Sequence, residues 1–530
     1  MHLPLTPVRC LYRGVDLYGK KEGVVSGERR FTYAQFGERC ERLAAGLLAL
    51  GVKPEDRVAY LSFNNNQLLE GYYGPVLIQA IVMPLNVRLT QSELVQILNH
   101  SGASVLIFEN EFAPLVEAFH KECPEIKSYI AIDGPMPSAD LTYEELLQKG
   151  RIERPDWTKF DESGIAELFY TSGSTGTPKG VTLSHRTLYL HALGILGNSF
   201  HDDKDVDLHT IPLFHANGWG AAQFATMIGR KQVMVRRFEP TFVLRLIQQE
   251  RATHMGLVPV MANALLNSPD LGKFDTSSLK EVLLGGAASS PELMDRMEKA
   301  FKCGVVVGYG LTETSPMAST SRLKGTVKFK DEKDRLFHSA MAGWPGIGVE
   351  MRVVDIKGND VPRDGETMGE IVVRSDNVMD GYFREAKATE AVITDGWFHT
   401  GDMAVWDEET YLHIVDRKKD IIISGGENIS SIEVEKAIFA HPAVFECAVV
   451  AAPDAKWGEI PAATVVLKPG EQLTSEQLVA FLESRLAKFK LPQIIHFSDQ
   501  PLPKTGTGKI LKRQIRDMFW QGKTRWVQGA

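Results

Sequence analysis

From about position 56 onward the sequence alternates short β-branched runs with amphipathic stretches, and this alternation constrains the fold more than any other feature. RVAYLSF, ASVLIFE, SYIAID, AELFYTS, DLHTIPLF, KQVMVRRF, LKEVLLGG and GVVVGYG predict strands. PTFVLRLIQQERA and SPELMDRMEKAFK, lying between some of them, predict helices. Strand–helix alternation of this kind gives an α/β fold of mostly parallel sheets flanked by helices. The stretch 343–373 is different. It is strand-rich, carries turn signals at KGND and PRDGE, and shows no helical period, which predicts a small β subdomain.

A second change comes at DRKKD, 416–420, which is charged and has no hydrophobic period. After it the pattern predicts a strand (IIIS), a Gly-Gly turn and a helix opened by the capping box Ser430-x-x-Glu433. Two strands (FECAVVAA, AATVVLK) and a helix over 475–488 follow, with Leu478, Phe481, Leu482 and Leu486 on one face. The expected organisation is therefore a large domain over 1–415, its β subdomain at about 343–415, a hinge at 416–420 and an α+β domain over 421–530. A chain of 530 residues carries a prior of about three domains.

Composition excludes several classes. With 59 basic and 67 acidic residues the net charge is −8, so no general electrostatic footprint for nucleic acid is present. The cysteines at 10, 40, 123, 303 and 447 are odd in number and form no CxxC pair, which fits a reducing cytosol. The first residues lack a signal-peptide core, and the apolar stretch 72–87 is interrupted by Pro75, Gln79 and Pro84. A cytoplasmic protein without a membrane span is expected.

The strongest chemical signal is YTSGSTGTPKG, 170–180. Its glycines let backbone N–H groups turn toward an anion, its hydroxyls add donors, and Lys179 adds charge, as a polyphosphate requires. Pro178 stands where a Walker loop has glycine, and composition alone leaves a solvated Gly/Ser loop open. PKTGTGKI, 503–510, also fails as a Walker loop, because Pro503 replaces its first glycine and Ile510 its Ser/Thr. GYGLTET, 308–314, offers an aromatic face, a hydroxyl and a carboxylate. GWFHTGD, 396–402, ends in Asp402, and DRKKD supplies Arg417, two residues that suit ribose but also a surface ion pair.

Together and in this order, these segments resemble the core motifs of the adenylate-forming superfamily of acyl-CoA synthetases, luciferase-like enzymes and peptide-synthetase adenylation domains. The resemblance runs from FTYAQF near 31 to PKTGTGKI, and IPLFHANGWG, LLGGAASS and GYGLTETSP are most similar to medium- and long-chain fatty-acid–CoA ligases. It implies two half-reactions. ATP and a carboxylic acid give acyl-AMP and pyrophosphate; coenzyme A then takes the acyl group and releases AMP.

The resemblance also implies roles. Thr171, Ser172, Gly173, Ser174, Thr175, Gly176 and Lys179 would hold phosphates, with Thr171 and Glu313 ordering Mg²⁺. Tyr309 would stack on adenine beside Ala287, Gly308 and Gly310, and Thr312 would donate to the α-phosphate. Asp402 and Arg417 would bind ribose. Lys509 would bridge the α-phosphate and the attacking carboxylate. His215 and Trp219 would stand at the acyl channel, Trp219 as its gate, with Gly285, Gly286, Pro316 and Met317 lining it. Ser424, Gly425, Gly426 and Asn428 would face coenzyme A once the C-terminal domain has turned about Asp416 and Lys419. A homodimer is a family habit. A carrier-loading adenylation enzyme and a luciferase-like oxygenase are the alternative activities.

Overall fold

A computed structural model describes residues 2–171, 178–198, 202–425, 427–504 and 510–520. The chain divides into two compact units. The first is Met1–Met351, Val373–Phe398 and Glu409–Tyr411; the second is Arg352–Val372, His399–Glu408 and Leu412–Ala530.

The first unit holds two large sheets, whose strands are counted among the described residues. One is nine-stranded. Its parallel centre runs Gly304–Gly310, Glu281–Leu284, His254–Leu257, Val206–His209, Lys231–Met234 and Glu22–Ser26, with antiparallel strands at both edges. The helices Pro240–Glu250 and Pro291–Phe301 cover it. Both begin with proline after a capping side chain, Glu239 and Ser290, so the proline's missing N–H falls where no helical partner exists. Val243, Leu244 and Ile247 from one helix and Leu293, Met294 and Met297 from the other pack on Leu208, Val233, Met255 and Val282. Burial of each such side chain contributes ~1.5–3 kcal/mol.

The second sheet is eight-stranded. Its parallel strands include Ile81–Pro84, Arg57–Leu61, Val105–Phe108 and Ser128–Ala131. One side continues through Ile165–Thr171 to the antiparallel strands Lys179–Ser184 and Gly381–Tyr382. The mixed α/β architecture read from the alternation is the one observed. The strand expected over 207–214 is shorter, ending at His209.

In the second unit, Val444–Asp454 pairs antiparallel with Gly458–Leu467, which also meets Ile422–Ser424 and Ile494–Phe497. The strand Val444–Asp454 is buried on both faces. Cys447, Val449 and Ala451 join a cluster with Val434, Ile438, Leu478 and Leu482. Ala448, Val450 and Ala452 join Leu502 and Ile515. The helix expected over 475–488 stops at Glu483. Arg485 folds back there and donates to the Phe481 carbonyl at 2.8 Å, while Leu486 stays buried. Half of the expected capping box forms. Ser430 accepts from the Glu433 N–H at 3.1 Å, but the Glu433 carboxylate pairs with Lys490 at 2.7 Å. DRKKD is not wholly irregular, because Asp416 and Arg417 end the strand Leu412–Arg417.

Candidate active site

The strands Ile165–Thr171 and Lys179–Ser184 pair antiparallel, with Thr171 opposite Lys179. Their register brings the two ends of the Gly/Ser loop together. Ser172, Gly173, Ser174, Thr175 and Gly176 lie outside the described residues. Tyr382, opposite Val181 in the next strand, links two of the predicted residues. The Lys179 ammonium lies 4.8 Å from its ring centroid, a cation–π contact. Its hydroxyl donates to Glu313 Oε1 at 3.0 Å. Burial and the neighbouring Glu313 carboxylate push the Tyr382 hydroxyl well above its usual range, so it stays protonated and donates. Sequence reasoning missed Tyr382, because only the sheet brings it to Lys179.

Glu313 belongs to the short turn Thr312–Thr314 after the strand Gly304–Gly310. Its carbonyl accepts from the Met379 N–H at 2.8 Å, and Thr312 is buried beside it. Tyr309 is 9% exposed and pairs with Ser319. The glycines flanking it serve close contacts within the protein. A Cβ on Gly308 would fall 2.7 Å from Met317 Sδ, and one on Gly310 would fall 1.6 Å from the Pro316 carbonyl oxygen. The Met317 N–H donates to His191 Nε2 at 3.2 Å. Burial drops the His191 imidazole to about 3, which keeps it neutral and able to accept.

The Trp219 indole lies against glycines. A Cβ on Gly285 would come within 3.0 Å of it, on Gly256 within 3.3 Å and on Gly286 within 3.7 Å. Sequence reading found Gly285 and Gly286 but not Gly256. Trp219 sits in an unusual turn. After His215, which is extended, Ala216, Asn217, Gly218, Trp219 and Gly220 all have positive φ. The three residues here that are not glycine each cost about 1–2 kcal/mol in this region, so the surroundings must hold the turn. Ala287, at the end of the same glycine segment, is exposed.

In the second unit, Asp402 and Arg417 face each other across the pair Trp397–Trp406 and Leu412–Arg417. Arg417 Nε meets Asp402 Oδ1 at 2.6 Å; the carboxylate is 4% exposed and the guanidinium 43%. Asp416 is buried and accepts from the Ser431 N–H and hydroxyl at 2.5 and 2.6 Å, while Lys419 is exposed. Ser424 pairs with Glu427, and Asn428 is exposed opposite Ile423. Gly425 is left-handed, and a Cβ there would meet the Trp457 ring at 2.7 Å. Gly426 and Lys509 lie outside the described residues. The backbone flanking Lys509 is pinned by a bridge between Lys504 and Ile510.

Residues 12–383 match the AMP-binding enzyme family, and residues 433–509 match the AMP-binding enzyme C-terminal domain. The chain belongs to the AMP-binding enzyme family. It is 39% identical over 520 residues to a long-chain-fatty-acid–CoA ligase of Thermus thermophilus, covering 96% of this chain and 94% of that one. It is 34% identical to 4-hydroxybutyrate–CoA ligase 2 of Metallosphaera sedula, covering 97% and 94%. Among solved structures it resembles ATP-bound MatB from Rhodopseudomonas palustris, with a TM-score of 0.85, 27% identity and coverage of 97% and 99%. This AMP-binding enzyme is an AMP-forming acyl-CoA synthetase. It uses ATP to convert a carboxylic acid to acyl-AMP and then transfers the acyl group to coenzyme A. Among its described residues no helix is long and apolar enough to cross a membrane.

Proposed function

We propose that this synthetase activates linear acids of medium or greater length, with the roles assigned by resemblance to its sequence motifs. The linkage Lys179–Tyr382–Glu313 carries the phosphate side of this reading, because it gathers a cation, a hydroxyl and a carboxylate at the end of the Gly/Ser loop where Lys179 stands. Lys179, with the loop 171–176, holds the β- and γ-phosphates. Thr312 donates to the α-phosphate, Tyr309 stacks on adenine against Gly308, Gly310 and Ala287, and Asp402 and Arg417 take the ribose hydroxyls.

Thr171 and Glu313 offer only oxygen donors, and no group of three or more His, Cys, Asp or Glu suited to a metal exists among the described residues. This donor set fits Mg²⁺ held largely by phosphate and water. When bound, the ion neutralises phosphate charge.

In the first half-reaction the acid's carboxylate oxygen bonds to the α-phosphorus as the bond to pyrophosphate breaks. Lys509 offsets the repulsion of the two approaching anions. In the second the coenzyme A sulfur bonds to the acyl carbon, the bond to AMP breaks, and the thiol proton is lost. Rotation of the C-terminal domain about the hinge 416–420, with Asp416 and Lys419 as pivots, separates the two steps. Ser424, Gly425, Gly426 and Asn428 then face coenzyme A. The acid lies in a channel lined by His215, Gly285, Gly286, Pro316 and Met317, with Trp219 as its gate; the glycine floor beneath the indole supports this. Free cysteines, four of them buried, support a reducing cytoplasm, and the resemblance is the ground for a homodimer.

The test is an acid panel from acetate to palmitate, with aryl acids, run with and without coenzyme A. Acyl-AMP and pyrophosphate without coenzyme A, and thioester from hexanoate and longer acids with it, are expected. Far better use of acetate or benzoate would overturn the chain-length reading.

A further inference from the structure

Glu167 is an acidic side chain in the interior of an apolar strand. It stands between Ala166 and Leu168 in Ile165–Thr171, is fully buried, and has Val82 and Leu183 as strand partners. Burial raises its carboxyl group to about 8, and a buried carboxyl group needs hydrogen-bond partners to offset its lost hydration. Oε2 accepts from Asn217 Nδ2 at 2.9 Å, and Oε1 accepts from Gln223 Nε2 at 2.6 Å. The other end of Asn217 closes the turn that carries Trp219, its Oδ1 accepting from the Gly220 N–H at 2.6 Å. Asn217 is itself fully buried, and Gln223 is 1% exposed.

Every residue of that turn from Ala216 to Gly220 is left-handed, with φ between 45° and 83°. Side chains with a Cβ avoid this region, so the turn needs an external anchor. Two contacts bear on the side chains of Trp219 and Asn217 in this turn. One is the glycine floor under the indole; the other is Glu167. Glycine permits the indole to lie close, but it does not fix the backbone. The amide bonds to Glu167 do.

We propose that Glu167 is a positioning residue that sets acid selectivity, accepting from Asn217 and Gln223 to lock the turn that holds Trp219 across Gly256, Gly285 and Gly286. The proposal rests on the reading of Trp219 as the acyl gate. Loss of the Glu167 carboxyl group leaves two buried amides without their acceptor. The turn then relaxes out of the left-handed region, and the indole leaves the glycine floor. The nucleotide side keeps its frame, because Thr171 pairs with Lys179 through backbone.

The experiment compares wild type, Glu167→Met, Glu167→Gln and Trp219→Ala in kcat/KM for acetate, hexanoate and decanoate, with KM for ATP measured alongside. Glu167→Met should change the decanoate-to-acetate ratio by about tenfold, the scale of discrimination in an apolar pocket, in the same direction as Trp219→Ala. KM for ATP should hold. Glu167→Gln, whose amide oxygen still accepts from Asn217, should restore the ratio. An equal fall in kcat/KM for all acids, with the ratio unchanged, would overturn the proposal and leave Glu167 a stabilising residue only. If Trp219→Ala shifts the ratio and Glu167→Met does not, this proposal fails and the gate stands. If Trp219→Ala leaves the ratio unchanged, the gate reading fails and takes the proposal with it. Should Glu167→Met not fold, Gln223→Met removes one donor and should shift the ratio in the same direction by less. An unchanged ratio there also overturns the proposal.

Discussion

Beside the strands Ile165–Thr171 and Lys179–Ser184, functional side chains meet through charge. An ammonium sits on the Tyr382 ring, and the Tyr382 hydroxyl reaches the Glu313 carboxylate. Around Trp219 they meet through missing side chains. Glycines at 256, 285 and 286 leave room for an indole, and a left-handed turn aims it. In the proposed roles the first arrangement stabilises charge as it develops, which is what phosphoryl transfer demands. The second discriminates by shape, which is worth only ~1–3 kcal/mol per methylene. On the roles proposed above, chemistry and choice of acid lie in differently built regions, and changes in one should leave the other in place.

The largest expected effect strikes chemistry alone. Lys509→Ala should lower pyrophosphate release by ~10²–10³-fold, the scale of losing one charge-stabilising donor. Conversion of synthetic acyl-AMP to acyl-CoA should persist, and the ranking of acids should stay the same. Near-wild-type pyrophosphate release would remove Lys509 from the mechanism.

Tyr382→Phe is a smaller cut on the same side. A hydrogen bond to a charged group contributes about 1.5–3 kcal/mol, so KM for ATP should rise roughly tenfold or more. Preference among acids should not move. A changed preference would mean that the two regions are coupled through Glu313.

The smallest effect is on stability in acid. Burial holds His191 at about 3 and His185 at about 4, both below the ordinary histidine value. In the unfolded chain they take protons near pH 6.5, while in the folded protein they remain neutral to far lower pH. Their contribution is therefore complete above about 6.5 and is lost as pH falls from there toward 4. His191→Gln should lose less of its melting temperature than wild type between pH 7 and pH 5. An identical loss would show that His191 does not titrate on unfolding.

How much of this was legible in the sequence follows the same division. Strands such as Arg57–Leu61 and Gly304–Gly310 were readable because β-branched runs report a buried sheet locally. Lys179, Glu313, Asp402 and Arg417 stood out as candidates through the order of their motifs and the resemblance that order carries, not through local chemistry alone. Their actual partners did not. Tyr382 reaches Lys179 only through sheet pairing between distant segments, and no local period encodes that. Gly256 was overlooked because a lone glycine in a strand reads as a weak spot until an indole is seen above it. Glu167 did leave a signal, an acid inside the apolar run AELFY. The early end of the helix Ser475–Glu483 was hidden because the apolar period continues to Leu486, which is buried without being helical.

Trp219→Ala tests the separation most directly. The measurement is kcat/KM for acetate, hexanoate and decanoate together with KM for ATP, in the same preparation. A loosened preference among acids and an unchanged KM for ATP are expected, because the indole rests on Gly256, Gly285 and Gly286 and the charged residues stand elsewhere. An unchanged preference, or a KM for ATP that rises as much as KM for the acid, would contradict that separation.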